Sequence, residues 1–232
     1  MKSKSLIIIA IILLITVFVG FETGYRQKLS PLSGKTIWHG NPSLPEIALT
    51  FDDGPNKKST PLILDILKKR NIKATFFVVG KNLKENSDIL IRINKEGHVI
   101  GNHTYYHLDG NNVKIDRIGN NLKWTDVLIN KFTGKRPEYF RPPFGYENWR
   151  FLREAEKLNY STILWSVDGG EWNEKATTEK VIRRITDNTQ NGSIILLHDT
   201  EIVAQSLPKI IDKLRAKGFR FVTISQMVNS LN

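Results

Sequence analysis

The chain of 232 residues contains no cysteine, so it forms neither a disulfide nor a thiolate metal site, and it carries no lipid-modified cysteine. Any metal it binds must sit on oxygen and nitrogen ligands. GxGxxG and phosphate-cradling P-loop segments are missing, which removes the usual signatures of dinucleotide and nucleotide binding. Internal repeats and low-complexity tracts are missing as well. Acidic residues are in short supply: 34 Lys+Arg stand against 23 Asp+Glu, a net charge of +11. No basic block is interleaved with aromatics, so the surplus reads as a generally basic solvated surface, and nucleic acid is disfavoured as a partner. Such a surface suits anionic surroundings such as lipid headgroups or wall polymers. The length suits one sizeable core rather than two.

What is present begins with an export signal. Lys2 and Lys4 precede an uncharged run from Leu6 to Phe21, and the chain turns polar at Glu22. The run is long for a signal-peptide core and short for a relaxed membrane span of about 20 residues. A cut after Gly20 would leave the bulky Phe18 at the third-last position, where a peptidase prefers a small residue. The segment 1–24 is therefore read as an uncleaved hydrophobic anchor helix, with secretion after cleavage as the alternative. The flanking lysines favour a cytoplasmic N-terminus and an extracytoplasmic catalytic domain. Residues 25–43 read as a tether, and 44–232 as the folded domain.

Within that domain, apolar β-rich runs at 47–51, 74–79, 98–101, 139–141, 161–167, 193–197 and 219–223 alternate with segments of helical period. Ser59 or Thr60 before Pro61 signals one helix start, Asn71 its end, Gly97 the end of the next, and Gly218 the end of a helix following Pro208. This βα alternation predicts a parallel α/β fold. Seven strands favour a barrel, with an open doubly wound sheet as the alternative.

The residues that carry chemistry collect after strand candidates. Thr50-Phe51-Asp52-Asp53-Gly54-Pro55 ends the first, His103-Thr104-Tyr105-Tyr106-His107 follows the third, and Leu196-Leu197-His198-Asp199 ends the sixth. One Asp and two His suit a divalent metal with open positions, which leaves a second Asp and a third His for proton transfer. No fragment carries this alone. HxxxH by itself is as readily a pair of surface or core histidines, and Asp52 a turn residue before Gly54-Pro55. Together they point to metal-assisted hydrolysis. His39 falls in the tether and His98 at the start of a strand, and neither is given a role. Tyr105, Tyr106, Tyr146 and Trp149 flank motifs and suit either packing or sugar stacking.

Over about 44–231 the chain resembles the polysaccharide deacetylases of the NodB-homology type, a carbohydrate esterase family. The likeness rests on five motifs in the family's order: Thr50 to Pro55, His103 to His107, Arg141-Pro142-Pro143-Phe144-Gly145, Asp168-Gly169-Gly170-Glu171-Trp172, and Leu196-Leu197-His198. It implies a distorted (β/α) barrel of about seven parallel strands. It implies further that Asp53, His103 and His107 bind the metal, with Zn2+ expected and Co2+, Mn2+ or Ni2+ as alternatives. Asp52 then corresponds to the general base for a metal-bound water, Arg141 to the arginine that orients it, and His198 to the general acid. The backbone N–H of Phe144 corresponds to the oxyanion donor, and Trp172 and Leu196 to the walls around the acetyl methyl.

One position departs from the family pattern. Glu171 stands where an Asp usually precedes the tryptophan and hydrogen-bonds the catalytic histidine, so the charge survives on a longer arm. Glu171 is expected to keep that contact, with Asp168 or Asp199 as substitutes. The function the resemblance implies is removal of N-acetyl groups from N-acetylhexosamine units of a glycan, with cell-wall peptidoglycan first. Chitin-like oligosaccharide, exopolysaccharide and acetylated xylan are the alternative substrates. A non-catalytic wall-binding module is the alternative from another class, favoured only by Glu171.

Overall fold

The computed structural model describes residues 36–109, 113–145 and 148–231. The apolar run 6–21 and Tyr146 lie outside the described residues, among which no helix is long and apolar enough to cross a membrane. In chain order the strands are β1 (Thr36–Ile37), β2 (Glu46–Asp52), β3 (Thr75–Val78), β4 (Val99–Asn102), β5 (Tyr139–Phe140), β6 (Ser161–Ile163), β7 (Val167–Asp168), β8 (Ile194–His198) and β9 (Arg220–Val222). The helices are α1 (Ser59–Lys69), α2 (Ser87–Lys95), α3 (Ile115–Thr133), α4 (Trp149–Lys157), α5 (Thr178–Asn188), α6 (Glu201–Ala216) and α7 (Ile224–Asn229).

Every ladder between these strands is parallel, in the order β1-β6-β5-β4-β3-β2-β8-β7, with β9 on the first half of β2. Strands β6 and β7 are the two ends of the run expected as one strand at 161–167. Between them the Leu164 N–H donates to the Ile37 carbonyl and the Ser166 N–H to the Ile194 carbonyl, so this segment carries the sheet from β5 across to β8. The result is the distorted (β/α) barrel, not the open doubly wound sheet.

Alternation along β2, β3 and β8 sends their side chains into two of the three core clusters. Ile47, Leu49 and Phe51 of β2, Phe76 and Val78 of β3, and Ile195 and Leu197 of β8 join the layer packed under the helices. Ala48, Phe77 and Ile194 instead join the smaller cluster with Tyr139, Ile163, Ile224 and Met227. All of β2 after Glu46 is buried, as expected of a parallel strand covered on both faces. The same parity that puts Ala48 in the smaller cluster puts Thr50 and Asp52 on that side, further along the strand.

Asn71 (φ 49°), Gly97 (φ 80°) and Gly218 (φ 88°) do follow the ends of α1, α2 and α6 in the left-handed conformation that closes a helix. The start of α1 falls at Ser59 as expected. There the Asn56 side chain accepts from the Lys58 and Ser59 N–H groups, which leaves the Ser59 and Thr60 hydroxyls for other partners. Two other boundaries differ from expectation. The helix expected to follow Pro208 begins at Glu201 and runs through the proline, held by the buried face Val203, Leu207, Ile210, Ile211 and Leu214. Residues 36–43, read as tether, lie on the barrel: β1 pairs with β6, His39 bridges Ser193, and the Gly40 N–H donates to Gly192 O at 2.7 Å. A two-residue strand has no period to reveal it.

Gly101 on β4 shows how tightly the interior is filled. A Cβ there would lie 2.4 and 2.5 Å from ring carbons of Phe77 and 3.1 Å from the Tyr139 carbonyl oxygen. Gly101→Ala is expected to destabilise the fold by about 1–3 kcal/mol, the usual range for overpacking. Urea unfolding measures this, and an unchanged midpoint would mean that the Phe77 ring has room to move.

Candidate active site

Strand register assembles the site at the C-terminal ends of the strands. Asp52, the last residue of β2, is directly paired with His198, the last of β8. His103 follows Asn102 at the end of β4, which pairs with Phe140 of β5, and Arg141 comes next after that strand. Among the described residues, four of the six non-glycine positions with positive φ are here: Asp53 (72°), Thr104 (64°), His107 (53°) and Phe144 (60°). Such conformations are disfavoured and persist where surrounding structure fixes them, which is typical of functional sites.

Asp53, His103 and His107 each present a ligand atom within 4.8 Å of the others. Asp53 Oδ1 lies 3.5 Å from His103 Nε2 and 3.2 Å from His107 Nε2. His103 Nδ1 is 2.7 Å from the Arg141 carbonyl oxygen, which only accepts, so Nδ1 carries the proton and the Nε2 lone pair faces Asp53. Burial holds the His103 ring neutral by lowering its pKa to about 3. Asp53 Oδ1 is itself buried with no donor in hydrogen-bonding geometry. A buried carboxylate oxygen facing the His103 lone pair and a second imidazole nitrogen suits a divalent cation, and an Asp-His-His set leaves positions open. The residues fit the metal that the motifs imply.

Beside this set, Asp52 is 2% exposed and faces a fully buried Arg141. The guanidinium donates from Nη1 to Asp52 Oδ1 at 2.8 Å and to Thr50 Oγ1 at 2.7 Å, from Nε to Ile163 O and from Nη2 to Leu164 O. Phe77 covers it at 4.2 Å. Burial pushes the Asp52 carboxyl above the usual carboxylate range, and the charge and hydrogen bond of Arg141 pull it back. A carboxylate of raised basicity is what proton abstraction needs.

On the adjacent strand β8, the His198 backbone N–H donates to Glu171 Oε1 at 2.6 Å, and the same oxygen lies 2.9 Å from His198 Nδ1. The carboxylate accepts only, so Nδ1 donates and Nε2 is directed elsewhere. Burial lowers the His198 pKa, but the Glu171 hydrogen bond and the charges of Asp52, Glu171 and Asp53 outweigh it and raise the value to about 9. The longer arm of Glu171 is accommodated by Gly169, where a Cβ would sit 2.2 Å from Glu171 Oε2. Asp168 is engaged by Arg184 at 2.8 Å and Asp199 by Thr60, so the histidine contact belongs to Glu171.

A cleft of about 570 Å³ opens over these groups, lined also by Phe144, Trp165, Trp172, Leu196 and Thr200. Leu196 is buried at 4% exposure whereas Trp172 is 65% exposed, so the expected pair of walls consists of one floor residue and one residue on the rim. The Phe144 ring stands edge-on to His107 at 4.6 Å. Nothing in the sequence marks Trp165, which lies between β6 and β7 in what reads as one uninterrupted strand. Thr50 and Gly169 lie inside the first and fourth motifs, but their roles depend on contacts from Arg141 and Glu171. His98, at the other end of β4, accepts from the Ala74 N–H at 3.1 Å and takes no part in the site.

Residues 39–163 match the polysaccharide deacetylase family. A peptidoglycan-N-acetylglucosamine deacetylase of Bacillus cereus is 41% identical over 187 residues, covering 78% of this chain and 68% of the relative. A second B. cereus protein of the same name is 36% identical over 210 residues, covering 88% of this chain and 97% of the relative. Among solved structures, the Bc1960 peptidoglycan N-acetylglucosamine deacetylase superposes with a TM-score of 0.80 at 39% identity, covering 83% of this chain and 92% of that one. With the matched region spanning more than half the sequence and holding Asp52, Asp53, His103, His107 and Arg141, this chain belongs to the polysaccharide deacetylase family, hydrolases acting on amide bonds.

Proposed function

We propose that the chain removes N-acetyl groups from N-acetylglucosamine units of peptidoglycan, at a site using zinc, from an extracytoplasmic position held by its N-terminal segment. The observation that carries the chemistry is the placement of a paired carboxylate, Asp52, and a paired imidazole, His198, on adjacent strands beside the Asp53, His103 and His107 set. The relatives' named substrate supports peptidoglycan, while Lys2, Lys4 and the apolar run 6–21 support the location. The net charge of +11 suits an anionic wall or membrane surface.

A divalent cation on Asp53, His103 and His107 would polarise the acetyl carbonyl and acidify the attacking water. Asp52, aimed by Arg141, takes the proton of the attacking water. The Phe144 N–H donates to the oxyanion of the tetrahedral intermediate. His198, protonated and held through Nδ1 by Glu171, gives its proton to the departing amine, and Leu196 and Trp172 enclose the acetyl methyl. Each turnover converts a neutral acetamide into a largely cationic amine.

Acetate release is the test. The full chain, purified in detergent, metal-stripped and reloaded with Zn2+, is expected to release acetate from peptidoglycan more readily than from chitooligosaccharide, exopolysaccharide or acetylated xylan, and Asp53→Ala to release none. Preference for another polymer would replace the substrate. Glycan binding without release from any of them would favour a wall-binding module.

A further inference from the structure

Asp199 follows the proposed acid, is 6% exposed, and takes no step in the reaction above. Its contacts all run to the first motif and the start of α1. The Asp199 backbone N–H donates to Asp52 O at 2.9 Å, and its carbonyl oxygen accepts from Ser59 Oγ at 2.9 Å. Its Oδ2 accepts from the Thr60 hydroxyl, and the same hydroxyl oxygen accepts from the Asn56 N–H at 2.7 Å. Asp52 and Asn56 are thus both tied to Asp199, one directly and one through Thr60. Between them lies Asp53, a non-glycine residue at φ 72°. A Cβ on Gly54 would fall 2.3 Å from Asp199 Oδ2, so the carboxylate packs against the backbone immediately after Asp53.

We infer that Asp199 is a positioning residue for the Asp53 carboxylate: its side chain clamps the loop 53–56 and the start of α1 against the end of β8. The inference rests on the reading of Asp53 as a metal ligand. The left-handed backbone at Asp53 is uphill by about 1–2 kcal/mol for an L-residue with a side chain, so the segment relaxes unless held from outside. Relaxation turns Oδ1 away from the two Nε2 atoms it now meets at 3.2 and 3.5 Å. The Asn82 side chain, which donates to Asp53 O at 2.9 Å, and the Val79 N–H, which donates to Gly54 O at 2.9 Å, anchor the loop on its β3 side. Asp199 and Thr60 supply the opposing hold. Ser59 and Thr60, which the sequence marks as a helix start, both direct their hydroxyls to Asp199.

Zn2+ affinity of the metal-free full chain, measured by competition with a chelating dye, tests the clamp without requiring turnover. Removing a partner that orients a metal ligand typically weakens binding about 10–100-fold, and that loss is expected for Asp199→Ala and for Thr60→Val. Asp199→Asn keeps an acceptor for the Thr60 hydroxyl and is expected to retain most of the affinity. Thermal unfolding of the metal-free proteins separates loss of folding from loss of the clamp, and near-isosteric Thr60→Val decides the matter if Asp199→Ala does not fold. Folded Asp199→Ala and Thr60→Val with the parent's affinity would overturn the inference, as would an Asp199→Asn as weak as Asp199→Ala. If Asp53→Ala bound zinc like the parent, the ligand reading itself would fail, whereas Asp53-dependent binding untouched by Asp199→Ala would sink the clamp alone.

Discussion

His198→Ala is expected to lower amide deacetylation by about 10²–10⁴-fold, the usual worth of a positioned proton donor, while hydrolysis of an activated acetyl ester falls far less. An amine is a poor leaving group and must depart protonated, whereas an activated phenolate leaves unaided. Equal losses on both substrates would count against His198 as the acid. Its environment adds a pH signature. With a pKa raised to about 9, His198 holds its proton at neutral pH and loses it as pH rises through that value, so kcat/KM should fall on the basic side. A cation beside Asp53 draws the limb of the loaded enzyme lower, but not the direction in which a variant moves it. Glu171→Gln removes the charge that accepts from Nδ1 and should shift the limb toward lower pH, with a lower rate at neutral pH. Stability follows the same sign. A histidine raised above its unfolded value of 6.5 contributes fully below that value, and the contribution is lost as pH rises through about 9. An unmoved basic limb in Glu171→Gln would show that Glu171 merely fills space.

The course of the fold is legible in the sequence where burial imposes a period. Ile47, Leu49 and Phe51 face the helices and Ala48 the smaller core, and each of the seven β-rich windows forms strand. Elements that exist only through a neighbour escape that reading. β1 is two residues recruited by β6, and α6 passes through Pro208 because its apolar face is buried on both sides of it. The same distinction holds in the site. The residue types and their order after strands can be read from the sequence, but the Asp52 and His198 pairing is a fact of register between β2 and β8. That Glu171 reaches His198 with one oxygen while its other lies over Gly169 follows from backbone approach, which spacing in sequence does not encode.

Arg141 carries the largest expected effect on stability and activity together. Replacing it with Met leaves an apolar chain of similar length where a guanidinium satisfied Asp52, Thr50 and the carbonyls of Ile163 and Leu164. Breaking a buried ion pair from one side typically destabilises by about 3–5 kcal/mol, because the remaining charge is stranded. Asp52 relieves this by taking up a proton, since burial already pushes its pKa upward and Arg141 is what opposes that push. The cavity then keeps its shape while the base is neutral, so deacetylation near pH 7 should fall about 10²–10⁴-fold, the range for a missing general base. Arg141→Lys is no rescue: one ammonium cannot span four acceptors in a fixed plane. Asp52→Asn separates the two effects, since it removes the base but leaves a neutral acceptor for the guanidinium. It should be as inactive as Arg141→Met and lose less of the urea midpoint. Arg141→Met with the parent's midpoint, or with activity intact at neutral pH, would mean that Asp52 is held ionised by something other than this arginine.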